Sequence, residues 1–486
     1  MEFVSNPVTA RWMRILTIIE RKQSFTIVDL SNTLITTQRT LIKDIQSLKD
    51  YFDGAAIFLS DNHGFSFYEV DKIKYKEKKE KLLENEILFD IIGNIFYGEL
   101  EPISELADSY NFSESTLRRF LEKIKKPLGT YALHLQFNPV DIIGDEGNIR
   151  KFFIDFYYAG EQTPYTLHPP RELHQTILEE ISGKLKYSKF GTSATVAFFY
   201  YTLYITIERA RQGKAISVPR ILQELTVGEN DFEILYSLRF SMESIFDYEL
   251  SKEEFIWVYY LLLCNRTVTE IKQEMMFLSK YSIWPEINKI SNELVKDREN
   301  NYNVSNDLII SVNSFLVSRK INDILCPVLN KLLLEEIHSI KQTRTIAYEK
   351  NYKFLKQYKR DFITSNRYLE DVAASLTIYL DILDDYSSPS KNILFLLEGD
   401  PLVIYQIKRT ARKLLHQHNI SFVRLLDLKE AYLNATHIDL LVTNYTPYVS
   451  EYNLFEKYLL IDFIPDEGDW KRVLSEVNHS RDEGYE

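Results

Sequence analysis

Five basic side chains, Arg118, Arg119, Lys123, Lys125 and Lys126, crowd into the stretch SESTLRRFLEKIKKPLG (113–129) of a 486-residue chain whose formal net charge is −12. Guanidinium and ammonium groups at this density can neutralise phosphates, and arginine can also meet guanine edges. At about 100° per residue, Leu117, Phe120, Leu121 and Ile124 share one arc of a helix. Arg118, Arg119, Lys125 and Lys126 fall mainly on the other side, with Ser113 placed as N-cap. That division suits a helix seated on its own core and laid against a polyanion. It suits a solvated helix face as well, and the stretch alone does not choose.

A second occurrence tips the balance. IVDLSNTLITTQRTLIKDI (27–45) runs parallel to ISELADSYNFSESTLRRFL (103–121). In each, a short helix, a turn and a longer helix follow one another, an internal repeat of one unit. The spacing predicts helices over 11–21, 27–33 and 38–52, the last with Thr36 or Thr37 as N-cap. Leu41, Ile45, Leu48 and Phe52 face inward there, and Arg39, Lys43 and Gln46 face out. The alternating stretch 55–70, broken at DNHG, predicts a β-hairpin, and three helices with a hairpin make a winged helix-turn-helix. Candidate DNA contacts are then Thr36, Thr37, Gln38, Arg39, Lys43 and Gln46 from the first unit. The second offers Ser113, Ser115, Thr116, Arg118, Arg119 and Lys123. Residues 1–130 are not net basic, since Asp29, Asp44, Glu84 and Glu105 are among the acids that offset the cations. Binding must rest on a restricted, salt-sensitive surface.

The lysine-rich stretch 71–81 reads as a link to the second unit, whose first helix is marked by Ile87, Ile91 and Ile95. Strands follow in YALHLQF and VDIIG, then GDEGNIRKFFIDFYY. Residues 166–388 are dense in helical periodicity and divide into two modules of similar length, 171–280 and 281–386, with a polar joint near 297–307. From Pro389 strands and helices alternate, which predicts a small parallel α/β domain. The expected fold class is multidomain and mainly α, with domains at 1–70, 71–165, 166–280, 281–388 and 389–486.

Composition excludes much else. Hydrophobic residues make up 45% and charged residues 26%, the balance of a folded soluble protein. Two cysteines, Cys264 and Cys326, form no CxxC pair, so neither a disulfide framework nor a metal site is indicated. The start lacks the pattern of a signal peptide. The most apolar runs, 194–207 and 255–264, are too short to span a bilayer and read as core helices. Their aromatic stretches, Phe198–Tyr201 and Trp257–Tyr260, read as core too. His416 and His418 form an HxH in a helix tail, whose spacing points them apart. No dinucleotide, phosphate-loop, esterase or zinc-protease motif occurs, so no cofactor, catalytic residue or enzymatic activity is expected. A cytoplasmic location without a membrane fits these features.

The paired units, the GDEGNIRKFF segment (Gly144, Glu146, Ile149, Arg150), the two helical modules and the α/β tail together resemble the Mga/AtxA family. These are transcriptional regulators of Gram-positive bacteria that carry phosphotransferase-system regulation domains (PRDs). The resemblance implies a global regulator, an activator of the virulence type, that binds double-stranded promoter DNA through both N-terminal units. It implies two PRDs at 166–280 and 281–388, and a homodimer helped by a C-terminal domain similar to phosphotransferase IIB subunits. It also implies histidine phosphorylation involving the phosphocarrier protein of that system. TLYITIERARQGK (202–214) is similar to the PRD segment HIxFAIERxxxG, with Glu208, Arg209 and Gly213 in register, which puts Thr202 at the histidine position. The second such position falls near Leu261. His174 and His338 remain as candidate phosphoacceptors. The tail has Glu398, Gly399 and Asp400 after its first strand, where a IIB subunit carries a cysteine. Two alternatives belong to other classes, a PRD-type RNA-binding antiterminator and a sugar phosphotransferase component. The former begins with a small all-β domain, which the helical pattern of 11–52 disfavours, and the latter needs the missing cysteine.

Overall fold

The computed structural model describes residues 3–159 apart from 5, 23, 62, 63 and 85, and then 167–180, 195–266, 270–296, 306–363, 365–387, 390–423, 438–450 and 457–479. Within that range the chain is mainly helical and forms two compact units. One comprises Met1–Ser291 and Ile310–Ile378, the other Asn292–Ile309 and Tyr379–Glu486.

The first unit begins with α1 (Pro7–Lys22), β1 (Ser24–Phe25), α2 (Ile27–Leu34) and α3 (Gln38–Tyr51). An antiparallel hairpin follows, β2 (Ala56–Asp61) and β3 (Gly64–Glu69). The expected winged layout forms, with one addition. β1 pairs along β3, so the wing is a three-stranded sheet of order β1-β3-β2. Residues 62 and 63 of the expected turn lie outside the described residues. Leu41, Ile45, Leu48 and Phe52 are buried with Ile15, Leu16 and Ile19 of α1 and Phe58 and Phe67 of the wing.

The stretch expected as a link is instead helix α4 (Lys72–Lys81), capped by Asp71, whose side chain accepts from the Lys74 N–H at 3.0 Å. Its one buried residue, Tyr75, packs tilted against Phe52 and Phe67 and donates to Glu20 Oε1 at 2.6 Å. Lysine composition suggested a link to the second unit. Tyr75, together with Lys78 donating to the Tyr51 carbonyl at 2.7 Å and Lys79 to Glu20 at 2.9 Å, holds the segment on the first winged module.

α5 (Ile87–Tyr97), α6 (Ile103–Ser109) and α7 (Glu114–Thr130) repeat the plan, and β4 (His134–Phe137) pairs antiparallel with β5 (Val140–Ile143) as a second wing. α8 (Glu146–Ile154) then leads into α9 (Arg171–Glu180), α10 (Val196–Arg211), α11 (Arg220–Thr226), α12 (Asn230–Tyr236), α13 (Arg239–Phe246) and α14 (Lys252–Leu263). The two most apolar runs lie largely in α10 and α14, as core helices. Trp257, Tyr259 and Tyr260 are fully buried. Further helices are α15 (Ile271–Tyr281), α16 (Pro285–Lys296), α17 (Asn306–Leu325), α18 (Leu334–Thr343), α19 (Thr345–Gln357), α20 (Lys359–Phe362) and α21 (Leu369–Ser387). The polar joint expected near 297–307 lies outside the described residues as far as 305.

In the second unit β6 (Asn392–Leu396), α22 (Pro401–Leu414), β7 (Asn419–Val423), β8 (Leu440–Thr443) and β9 (Tyr458–Leu460) build a parallel sheet of order β7-β6-β8-β9. Its central strands are buried on both faces, as parallel strands are. Ile393, Phe395 and Val442 pack with Ile407 and Ala411 of α22 and with Val473 and Val477 of α23 (Glu467–His479). Leu394, Leu396 and Leu441 pack with Tyr448 on the other side. The HxH lies beyond α22, not in its tail, because the helix ends at Leu414. His418 Nδ1 accepts from the Lys391 N–H at 3.3 Å, and partial burial together with the Lys391 charge lowers its pKa.

Candidate nucleic-acid interface

The two N-terminal units are built alike, residue by residue, at an offset of 76. Leu30 and Leu106 anchor the short helices, and Leu41, Ile45 and Leu48 of α3 match buried Leu117, Leu121 and Ile124 of α7. In both, the turn closes by a six-to-one hydrogen bond of the Schellman type. The Thr36 N–H donates to Ser31 O at 3.2 Å, and the Phe112 N–H to Ala107 O at 2.9 Å. The residue just before each donor, Ile35 or Asn111, has positive φ, 50° and 56°. The long helix then starts from a hydroxyl cap. Thr37 Oγ1 accepts from the Thr40 N–H at 3.3 Å, and Ser113 Oγ from the Thr116 N–H at 3.2 Å. Each cap answers one of the helix's orphan N–H groups.

The sequence candidates fall into distinct places on this frame. Gln38, Arg39, Lys43 and Gln46 are exposed on one face of α3, as expected. Gln46 Nε2 donates to Asp50 at 3.0 Å. Thr37 and Ser113 are caps, and Thr36 is half-buried with its hydroxyl on Leu34 O at 3.1 Å. Ser115 is exposed, and Thr116 Oγ1 lies 2.8 Å from Ser113 Oγ. On α7 the cations differ among themselves. Arg118 pairs with Glu114 at 3.3 Å and covers the Phe137 ring of the wing at 4.3 Å. Lys125 pairs with Glu122 at 2.6 Å and lies over the same ring at 5.0 Å. Lys123 approaches the Phe120 ring at 5.5 Å. Arg119 and Lys126 are exposed and meet no carboxylate among the described residues. Arg119 and Lys126 are thus the cations of α7 most open to an anion.

Asp44, counted above among the acids that offset the cations, turns inward. It is 5% exposed and accepts from Arg11, with Nη2 at 3.0 Å, and from Trp12 Nε1 at 3.1 Å. Its hydrogen bonds hold the Arg11 guanidinium above its ordinary pKa. The pair ties α1 to the back of α3 and keeps this carboxylate off the outer face.

Sequence reasoning did not anticipate how the second winged module is held. In the GDEGNIRKFF segment Asp145 caps α8, and Arg150 is fully buried. Arg150 donates from Nε to Glu146 at 3.0 Å, from Nη2 to Lys214 O at 2.9 Å, and from both Nη atoms to Glu254 of α14. Glu146 also receives Arg209 of α10, at 3.0 and 2.8 Å. Burial works to lower the Arg150 pKa, and Glu254 and Glu146 outweigh it, leaving it raised. Two arginines and two glutamates thus form a neutral interior knot between α8, α10 and α14. At the other end, Arg367 and Tyr368 donate to the Gly129 and Thr130 carbonyls that end α7, the second at 3.2 Å. The pairing of Glu and Arg within GxExxIR, four residues apart on a helix, was the available signal. Its partners at 209 and 254 had none.

Thr202 has no exposed surface, and its hydroxyl has no partner among the described residues. Leu261 is buried as well. His174 is exposed, its ring edge-on to Tyr200 with centroids 5.2 Å apart. His338 is exposed on α18 and shares a hydrogen bond with Gln342 at 2.8 Å. After β6, Glu398 is engaged by the Tyr448 hydroxyl and Asp400 caps α22. Among the described residues no helix is long and apolar enough to cross a membrane, and no cluster of His, Cys, Asp and Glu could hold a metal ion.

Comparison with known proteins bears on residues 71–157, which match the Mga helix-turn-helix domain family. The chain is also similar to two regulators of Bacillus anthracis. It is 24% identical over 214 residues to capsule synthesis positive regulator AcpB, covering 43% of this chain and 44% of that one. It is 24% identical over 278 residues to capsule synthesis positive regulator AcpA, covering 54% and 56%. A putative trans-acting regulator of Streptococcus pneumoniae is 26% identical over 141 residues, covering 29% and 28%. The chain spans about half the length of these curated relatives, or less. The matched residues run from α4 through α8 and include the second wing and the GDEGNIRKFF segment.

Proposed function

We propose that this chain, a regulator of the Mga/AtxA kind, binds double-stranded promoter DNA through both winged units and activates transcription as a homodimer. The observation that carries this reading is the repetition. The same turn, hydroxyl cap and outward cationic face occur at α3 and again at α7, each followed by a wing. One such helix is a solvated face as easily as a reading head. Two built to the same plan at a fixed offset, in a chain of net charge −12, argue for a shared ligand with phosphates. Arg39, Lys43, Arg119 and Lys126 are the side chains free to meet them.

In this reading 166–280 and 281–388 are sensory PRDs and 389–486 is a IIB-like pairing domain, in a cytoplasmic protein without catalytic activity. The knot at Arg150 and the Arg367–Tyr368 grip on the end of α7 are the routes by which those modules reach the second reading head. His174 and His338 are the phosphoacceptors accessible to a phosphocarrier protein, since Thr202 is buried and is not histidine.

The test is a gel-shift comparison of the full chain on duplex DNA and on structured RNA. Duplex retention that falls steeply with salt supports the proposal, and Arg39→Ala with Lys43→Ala should flatten the log–log salt slope by roughly one unit per lost contact. Preference for the RNA would favour the antiterminator. Light scattering of the chain shortened by 389–486 tests the dimer, and a shortened chain that is still a dimer would remove the tail from that role.

A further inference from the structure

The αL turn residue is the same place in both units, filled in two different ways. Asn111 fills it in the second, a residue whose short polar side chain tolerates the left-handed region. The first unit has Ile35 there, at φ 50° and ψ 47°. A β-branched side chain in this region is a genuine outlier and destabilises the turn. Packing does not repay it, because Ile35 is 94% exposed. One turn into α3, Ile42 is 54% exposed, where the matching residue of the second unit is Arg118. The first reading head therefore shows water two apolar side chains where the second shows an amide and a guanidinium. Gln38, Arg39 and Lys43 lie on the exposed face around them. The first residues of such a helix meet base edges in a major groove, and Ile35 stands three residues before the first of them. The apolar feature of a major groove is the thymine 5-methyl group.

We propose that Ile35 and Ile42 are specificity-determining residues that read thymine methyl groups in duplex DNA, a contact that Asn111 and Arg118 at the matching places of the second head do not share. The strain at Ile35 is then retained for the contact it makes on DNA. This rests on the DNA-binding reading above, and the experiment separates the two.

Duplexes are selected by the full chain from a random pool, and the best is remade with deoxyuridine in place of thymidine, which removes the methyl groups and leaves every hydrogen-bonding edge. Each buried methyl lost should weaken the parent by about fourfold. Ile35→Asn, the residue at the matching place of the second unit, should bind the thymidine duplex several-fold more weakly at unchanged salt slope. It should raise the unfolding midpoint by about 2 °C through relief of the turn. Combined with Ile42→Gln, it should bind the thymidine and deoxyuridine duplexes equally. A parent indifferent to deoxyuridine overturns the proposal, and so does a double variant that keeps the parent's discrimination. A lowered midpoint for Ile35→Asn overturns the strain argument, because it would mean that the isoleucine stabilises the turn. If no duplex is selected at all, it is the DNA-binding reading that has failed.

Discussion

Replacing Glu254 by leucine removes one wall of the interior knot. Glu254 is 2% exposed and Arg150 has no exposed surface. The carboxylate accepts from both terminal nitrogens of Arg150, with Nη2 at 3.1 Å, and from the Ile216 N–H at 3.0 Å. Without it, Arg150 and Arg209 share Glu146 alone and the interior gains an unbalanced positive charge. Breaking a buried pair by removing one partner costs about 3–5 kcal/mol, mostly the penalty of the charge left behind. The same physics predicts a rescue. With Arg150→Leu and Glu254→Leu together, Glu146 and Arg209 remain as a two-bonded neutral pair at 3.0 and 2.8 Å. The double variant should then be more stable than the sum of the single losses by at least about 2 kcal/mol. Urea titrations are followed by fluorescence in a background where Trp12, Trp284 and Trp470 are phenylalanine, so that Trp257, three residues along α14 from Glu254, is the reporter. A single-variant loss under about 1 kcal/mol, or strict additivity in the double, would refute the account of the knot as a compensated charge cluster.

Thr202→Val should be neutral or stabilise by about 1 kcal/mol, since it removes a buried hydroxyl without a partner among the described residues; a clear loss in urea midpoint would show that the hydroxyl is satisfied. Burial pushes both Cys264 and Cys326 up to about 12, the latter helped by Asp145. Neither should react with an aromatic disulfide reagent near pH 8 until denaturant is added, and rapid labelling of the native chain would contradict their burial. Burial also raises the pKa of Asp371, which accepts from the Leu332 N–H at 2.9 Å. The folded state then holds this proton more tightly than the unfolded state does. Its contribution is present below the unfolded pKa of about 4 and is lost as pH rises through the folded value. Asp371→Asn keeps an acceptor for Leu332 and should gain stability relative to the parent as pH rises from about 4 to 7; a difference constant with pH would refute the assignment.

What the sequence determined by itself were the features set within a turn or two of chain. Thr37 and Ser113 cap bonds three residues away, Leu41, Ile45 and Leu48 recur at helical spacing, and the offset of 76 repeats both patterns. Local hydrogen bonds and side-chain periodicity decide such features, so they can be read without knowing what packs above them. The alternation after Pro389 likewise announced a parallel sheet. The fate of 71–81 was not legible, because this mostly charged segment folds where Tyr75 meets Phe52 and Phe67 and its lysines meet Tyr51 and Glu20, contacts that no local pattern announces. Nor was the inward turn of Asp44, which depends on Arg11 arriving from another helix. Only the tertiary structure decided that Arg150, Arg209 and Glu254 would converge with Glu146, across as many as 104 residues of sequence. Desolvation makes an unpaired buried charge prohibitive, so their partners are dictated by which helices pack together, and no spacing along the chain records that.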